Sequence, residues 1–194
     1  MMLRNALVRL VIACALGSAG CAHAPLLNTT VPTAALPGTD GVAHSIYAGS
    51  PAGRFTAIVF FAQQCPCMAV HDARLVELAN LYRQRGVDFY VVDPEVDASV
   101  ERDHAEASRR GYPFPILIDK GAALARRLGA EYATETFVFD REGVVRYHGG
   151  IDSDKKTLHE GARPYLHDAL EDLVLGRAPR LAEAKTLGCA LQIW

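Results

Sequence analysis

Cys65, Pro66 and Cys67 stand where an apolar run ending Ile58, Val59, Phe60, Phe61 gives way to a helix-like pattern. Two thiols at a strand-to-helix junction can do chemistry that most cysteines cannot. The first turn of a helix carries unpaired backbone N–H groups and the positive end of the macrodipole, and both favour a negative group. A cysteine placed there ionises more readily, and the thiolate is both the nucleophile and the metal ligand. The position therefore suits disulfide exchange, peroxide reduction or soft-metal binding. Against these stands an inert reading, in which both thiols are small apolar core residues. Pro66 fits a helix start, because its φ is already set and its missing N–H would be unpaired there anyway. Cys65 is the expected attacking thiol.

The remaining cysteines are Cys14, Cys21 and Cys189. Arg4 and Arg9 lead into Leu10, Val11, Ile12, Ala13, Cys14, Ala15, Leu16, so residues 1–21 read as a secretory signal. Its apolar core is shorter than the roughly 20 residues of a spanning helix. Ser18, Ala19, Gly20, Cys21 resembles the lipobox of bacterial lipoproteins, in which Cys21 would be acylated and become the mature N-terminus. Ser18 departs from the usual aliphatic residue, and simple cleavage around residues 22–24 is the alternative. Residues 22–40, with their scattered Thr and Pro and no periodicity, read as a flexible tether. The expected location is periplasmic, on a lipid anchor to a membrane. Export leaves Cys65, Cys67 and Cys189, an odd set. Cys65 can pair with Cys67, closing a small ring. It can also pair with Cys189, carried on residues 176–188, a stretch long enough at about 3.3 Å per residue to cross a small domain. In a third arrangement Cys189 stays unpaired on the surface.

Elements that could position these thiols alternate along the chain. Residues 42–47 and 56–61 read as strands, the second fully buried, and 68–85 as a helix with Leu75, Leu78, Ala79 and Tyr82 on one stripe. A strand is expected at 87–92, then a helix at 98–110 capped by Asp97 and stopped by Gly111. A strand at 114–118 and a short helix at 122–128 follow. Residues 136–139 and 144–147, around the turn Asp140, Arg141, Glu142, Gly143, form a hairpin signature, and a last helix runs up to Gly176. This order predicts an α/β fold, a central mixed β-sheet flanked by helices on both faces. At 194 residues, 50% hydrophobic and 22% charged, the chain suits one domain, at 41–176, with a tail at 177–194 carrying Cys189. The formal net charge of -2 gives no support to a nucleic-acid partner.

The run Val59, Phe60, Phe61, Ala62, Gln63, Gln64, Cys65 resembles the strand-to-active-site segment of the thioredoxin-like superfamily. More specifically it is similar to its redoxin branch, which includes AhpC/TSA-type peroxiredoxins and periplasmic thiol-disulfide oxidoreductases. The resemblance extends over residues 38–176 and includes Thr136 to Gly143; the tail Gly188, Cys189 is similar to an ending seen in a subgroup of redoxins. It implies a thioredoxin-like fold, an active-site loop containing Gln64 and Pro66, and Thr134 at the place of the cis-proline that faces the thiol. Departures are clear. The second cysteine of a Cys-x-x-Cys motif would fall at Met68, the usual tryptophan is Gln64, and the buried carboxylate upstream is Val59. Ala62 and Ile58 replace the Thr or Ser and the Pro of the peroxidase motif.

The resemblance implies an exported thiol-disulfide oxidoreductase acting through Cys65, resolved by Cys67 or Cys189, without a cofactor. Its partners would be protein or small-molecule thiols and disulfides and a redox partner. A single activated cysteine can also form a sulfenic acid, so weak peroxide reduction, an antioxidant activity, is compatible with the site. Two alternatives belong to other classes. One is copper delivery of the Sco type, with Cys65, Cys67 and His148 as ligands, although Sco proteins space their cysteines more widely. The other is a redox-inert thioredoxin-like binding domain. His71 is expected as a solvated or capping side chain, and His104, His159 and His167 as surface residues.

Overall fold

The computed structural model describes residues 26–47 and 55–193. The predicted signal, Cys14 and the candidate lipidation residue Cys21 lie outside the described residues.

A short antiparallel pair, β1 (Ala35–Pro37) and β2 (Ala43–Ser45), precedes the main sheet. Then come β3 (Phe55–Phe60), α1 (Pro66–Arg83), β4 (Val87–Asp93), α2 (Val100–Arg110) and β5 (Ile116–Ile118). A 3-10 turn leads into α3 (Ala123–Leu128), followed by β6 (Thr136–Asp140), β7 (Val145–Gly149) and α4 (Tyr165–Val174). The sheet order is β5-β4-β3-β6-β7, with β3, β4 and β5 parallel and β6 and β7 antiparallel. Parallel neighbours need a crossover, and α1 and α2 supply it.

β3 is the centre because its sequence can be nothing else. Ala57, Ile58, Val59 and Phe60 have no exposed surface, so both faces of the strand are covered, as an uninterrupted apolar run requires. The predicted stripe of α1, Leu75, Leu78, Ala79 and Tyr82, is buried. Tyr82 also reaches α4, its hydroxyl donating to Glu171 at 3.2 Å. The cap of α2 differs from the expectation. Ser99, not Asp97, takes the N-cap position and accepts the N–H of Arg102, while the carboxylate of Asp97 pairs with the Arg102 guanidinium at 2.6 Å. Gly111 closes the helix at φ 66°, a left-handed stop.

Both ends of the domain are larger than the composition suggests. From Leu26 onward the stretch expected as a tether lies on the core: Val31 and Leu36 are buried, and Asn28 N–H donates to Val145 at 2.9 Å. Backbone bonds and two well-spaced apolar side chains hold it, and neither produces a helical or strand period. The tail is equally engaged. Asp172 at the end of α4 accepts from Arg177 and Arg180, and the chain then runs beside β7, with His148 N–H donating to Ala182 and Ala184 N–H to His148, both at 3.0 Å. A Cβ on Gly149 would stand 2.4 Å from the Ala184 oxygen and one on Gly150 2.9 Å from that of Lys185. Two glycines thus permit the close approach that the tail needs.

Candidate redox site

Cys65 is the N-cap residue of α1, with Pro66 at the first helical position and Cys67 one residue further. Gln64 and Pro66 are exposed, whereas Cys65 is only 3% exposed and Cys67 is completely buried. No acidic side chain lies in the first turn of α1, so no carboxylate of that turn offsets the positive end of the helix.

The structure pairs Cys65 with Cys189 in a disulfide, across a Cα separation of 5.9 Å. Cys67 is free and buried. Its Sγ stands 3.7 Å from the Sγ of Cys189. A disulfide sulfur carries no hydrogen, so Cys67 is the only possible donor in that contact. All three sulfurs lie within 4.8 Å of one another.

Cys189 arrives next to an isolated antiparallel bridge between Tyr132 and Ala190. Ala133 N–H donates to the Cys189 carbonyl at 2.8 Å, and Leu191 N–H to that of Glu131 at 2.9 Å. On the other side, Gln192 N–H donates to the Glu95 carboxylate at 3.1 Å, and Val96 N–H to the Gln192 carbonyl at 3.0 Å. Gly188 makes the approach possible, since a Cβ there would fall 1.8 Å from the Ala133 oxygen. Beside the disulfide is a cleft of about 580 Å³, lined among others by Gln64, Glu95, Asp97, Arg102 and Ala190.

These positions can be set against known proteins. The redoxin family profile matches residues 26–162. This chain belongs to the redoxin family. An uncharacterized conserved protein from Geobacillus kaustophilus is 26% identical, with a TM-score of 0.78 over 87% of this chain and 92% of that one. A hypothetical protein from Sinorhizobium meliloti is 22% identical, with a TM-score of 0.75 over 86% and 93%. A putative thiol:disulfide interchange protein DsbE from Chlorobium tepidum is 21% identical, with a TM-score of 0.58 over 77% and 96%, and shares the thioredoxin-like fold. The curated proteins contain no match.

Within this redoxin the loop before the thiols is held by Arg110, which the sequence reading missed. Its guanidinium donates to the Gln63 carbonyl at 2.9 Å, to both oxygens of Asp72 at 3.0 Å and to Glu106 at 2.6 Å, and lies over the Phe61 ring. No motif signals that role, because Arg110 and Gln63 are far apart in the chain.

His71 is neither solvated nor a cap. It is 1% exposed, with Nδ1 2.6 Å from the Cys67 carbonyl and Nε2 3.1 Å from Asp152. Burial is the largest influence on its pKa and pulls it down, but the hydrogen bonds to Asp152 and to Cys67 outweigh it, and the net shift is upward. With an acceptor at each ring nitrogen, the protonated imidazole is the form that satisfies both. His104 stands exposed, as expected of a surface residue, with its Nδ1 2.9 Å from the Thr39 carbonyl.

Thr134 is buried, and its N–H donates to the Phe60 carbonyl at 2.8 Å. Its φ is 76°, and no cis peptide bond occurs among the described residues. His148 is occupied elsewhere. Its Nε2 is 2.7 Å from the Glu135 carboxylate, and its ring stacks on Phe137 at 4.4 Å. Glu135 in turn accepts the N–H groups of Glu131 and Tyr132, so this pair shapes the segment on which Cys189 docks. The third member of the thiol cluster is therefore Cys189, and His148 does not belong to it.

Proposed function

We propose that this redoxin is an exported thiol-disulfide oxidoreductase in which Cys65 is the nucleophile and Cys189 the resolving thiol. The observation that supports this best is the disulfide from the helix-capping Cys65 to Cys189, with Cys67 left as a thiol. In the reduced protein the Cys65 thiolate attacks one sulfur of a substrate disulfide. A mixed disulfide forms and the other substrate sulfur leaves as a thiolate, which takes up a proton. Cys189 then attacks Cys65, the second substrate thiol departs, and the protein is left oxidised. An external dithiol returns it to the reduced state, and the reverse cycle oxidises substrates. The helix end favours thiolate on Cys65 as attacker and as leaving group.

Export and attachment through Cys21 form part of this reading and rest on residues 1–21. No helix among the described residues is long and apolar enough to cross a membrane. Protein or small-molecule disulfides that can enter the cleft beside Cys65 are the proposed substrates.

The test is alkylation mass spectrometry across glutathione buffers, with insulin reduction as the activity readout. A reversible Cys65–Cys189 disulfide, with both pairing and activity lost in Cys65→Ser, is expected. Insulin reduction retained by Cys65→Ser, or thiols that stay free across the whole range, would sink the assignment.

A further inference from the structure

We infer that the reduced protein binds one copper(I) ion through the sulfurs of Cys65, Cys67 and Cys189. The exchange cycle proposed above uses two thiols and leaves Cys67 without a task, although it is completely buried and its Sγ touches that of Cys189 at 3.7 Å. Three thiolates around one metal at about 2.3 Å, in a plane, stand about 4 Å from one another. The Cys67–Cys189 separation already meets that spacing, and all three sulfurs fall within 4.8 Å. Only the Cys65–Cys189 pair has to separate, and reduction does that.

The donor set selects the ion. Thiolates favour soft metals, and zinc in a structural site takes four ligands. Among the described residues the cluster holds three donors and no fourth, and His148 is engaged by Glu135. Copper(I), a soft ion satisfied by three sulfurs, fits. Cys65 and Cys67 are buried and Cys189 is half-buried, so the cleft reaches the cluster from one side. Its excess negative charge lies at the positive end of the eighteen-residue α1, which has no acid in its first turn.

Binding and the disulfide exclude each other. A dithiol reductant delivers two electrons and two protons to the Cys65–Cys189 bond, becoming a disulfide itself. Copper(I) then displaces the protons of the coordinating thiols, with no change in its own oxidation state. The same three residues thus form a metal site when reduced and close it when oxidised.

The experiment uses the full chain carrying Cys14→Ser and Cys21→Ser, reduced with dithiothreitol under nitrogen and freed of reductant. It is titrated with copper(I) against bathocuproine disulfonate. The reduced chain is expected to withdraw one equivalent and the oxidised chain none, with all three thiols protected from iodoacetamide. Copper X-ray absorption should show three sulfur neighbours. Cys67→Ser should weaken binding by about 100-fold, since two thiolates remain. Its Cys65–Cys189 disulfide, detected after oxidation, reports that the fold is intact. His148→Ala should leave the affinity unchanged. Equal affinity in Cys67→Ser, copper retained by the oxidised protein, or coordination by two sulfurs would overturn the proposal. If Cys67→Ser does not fold, the absorption spectrum of the parent decides by its sulfur count. Redox titration without copper is read separately, so loss of metal binding and loss of disulfide exchange are distinguishable.

Discussion

The carbonyl oxygen of Cys189 accepts the backbone N–H of Ala133 at 2.8 Å, one residue before the left-handed Thr134. The thiol that reaches Cys65 is therefore delivered by a bridged, hydrogen-bonded segment and not by a loose end. A substrate that presents a disulfide to Cys65 must share this cleft with the tail, and reduction frees the tail from its covalent hold.

Gly188→Ala should lift that bridged segment. The new Cβ would fall 1.8 Å from the Ala133 oxygen, so the hydrogen bonds of Ala133 to Cys189 and of Leu191 to Glu131 should both break. At about 1 kcal/mol for each bond, the equilibrium constant for forming the Cys65–Cys189 disulfide should fall by about 30-fold. Dithiothreitol redox buffers with thiol alkylation measure it, and an unchanged constant would show that the tail docking adds nothing.

Placing proline at Thr134, the position where the resemblance expects one, should harm the protein. Thr134 has φ 76°, which proline cannot adopt, and its N–H is spent on Phe60 at 2.8 Å. Thr134→Pro should cost about 3 kcal/mol or more. Thr134→Gly should be neutral or stabilising by up to about 1 kcal/mol, because a β-branched residue is strained at positive φ. Urea denaturation of both variants tests the contrast; a tolerated proline would mean that this backbone can rearrange.

Arg110→Ala should both destabilise the fold and loosen the active-site loop. Its side chain is 2% exposed and is shared by Asp72, Glu106 and the Gln63 carbonyl, so its removal leaves Glu106 to Arg109 and Asp72 to the Tyr112 hydroxyl, each carboxylate short of one partner. With those partners remaining, the loss should be about 1 to 3 kcal/mol, the cost of hydrogen bonds to charged groups. Hydrogen exchange at Gln63 and Gln64 should rise along with the drop in unfolding free energy. Protection unchanged there would separate Arg110 from the loop.

The His71–Asp152 pair should give the stability a maximum in mildly acidic solution. Asp152 is held below its usual 3.8: burial pushes it up, but the hydrogen bonds from His71 and the Asp154 N–H outweigh that. A depressed acid contributes above its unfolded value, and the contribution disappears as pH falls through the folded one. His71 is raised above 6.5, so its contribution is complete below 6.5 and is lost as pH rises through the higher folded value. The pair therefore stabilises most between about pH 4 and 6.5. In His71→Gln the decline above pH 6.5 should vanish; urea midpoints taken from pH 3 to 9 would reveal a persisting decline if other groups cause it.

Much of the frame was readable from the chain. The uninterrupted Ile58, Val59, Phe60 run can be satisfied only in a strand covered on both faces, and the stripe from Leu75 to Tyr82 only by a helix against it. Glycines 111 and 143 stop their elements through positive φ, and Pro66 at the first helical position sets the thiols at the start of α1. Local signals failed where two candidates competed. Ser99 and Asp97 can each cap α2, and the choice turned on Arg102, which draws Asp97 into an ion pair. His71 looked solvated because its partner Asp152 stands 81 residues further along.

By itself, then, the sequence determined that Cys65 caps a helix at the end of a buried strand, because burial period, proline and glycine act within a few residues of one another. Which thiol meets Cys65 was a question of another kind. Cys67 and Cys189 were equally available to it on paper, the second 124 residues away. Only the tertiary structure decided, because that meeting depends on a path in space. Asp172 turns the tail, Gly149 and Gly150 let it lie against β7, and Gly188 lets it pair with Ala133. No local pattern encodes such a sum of distant close approaches.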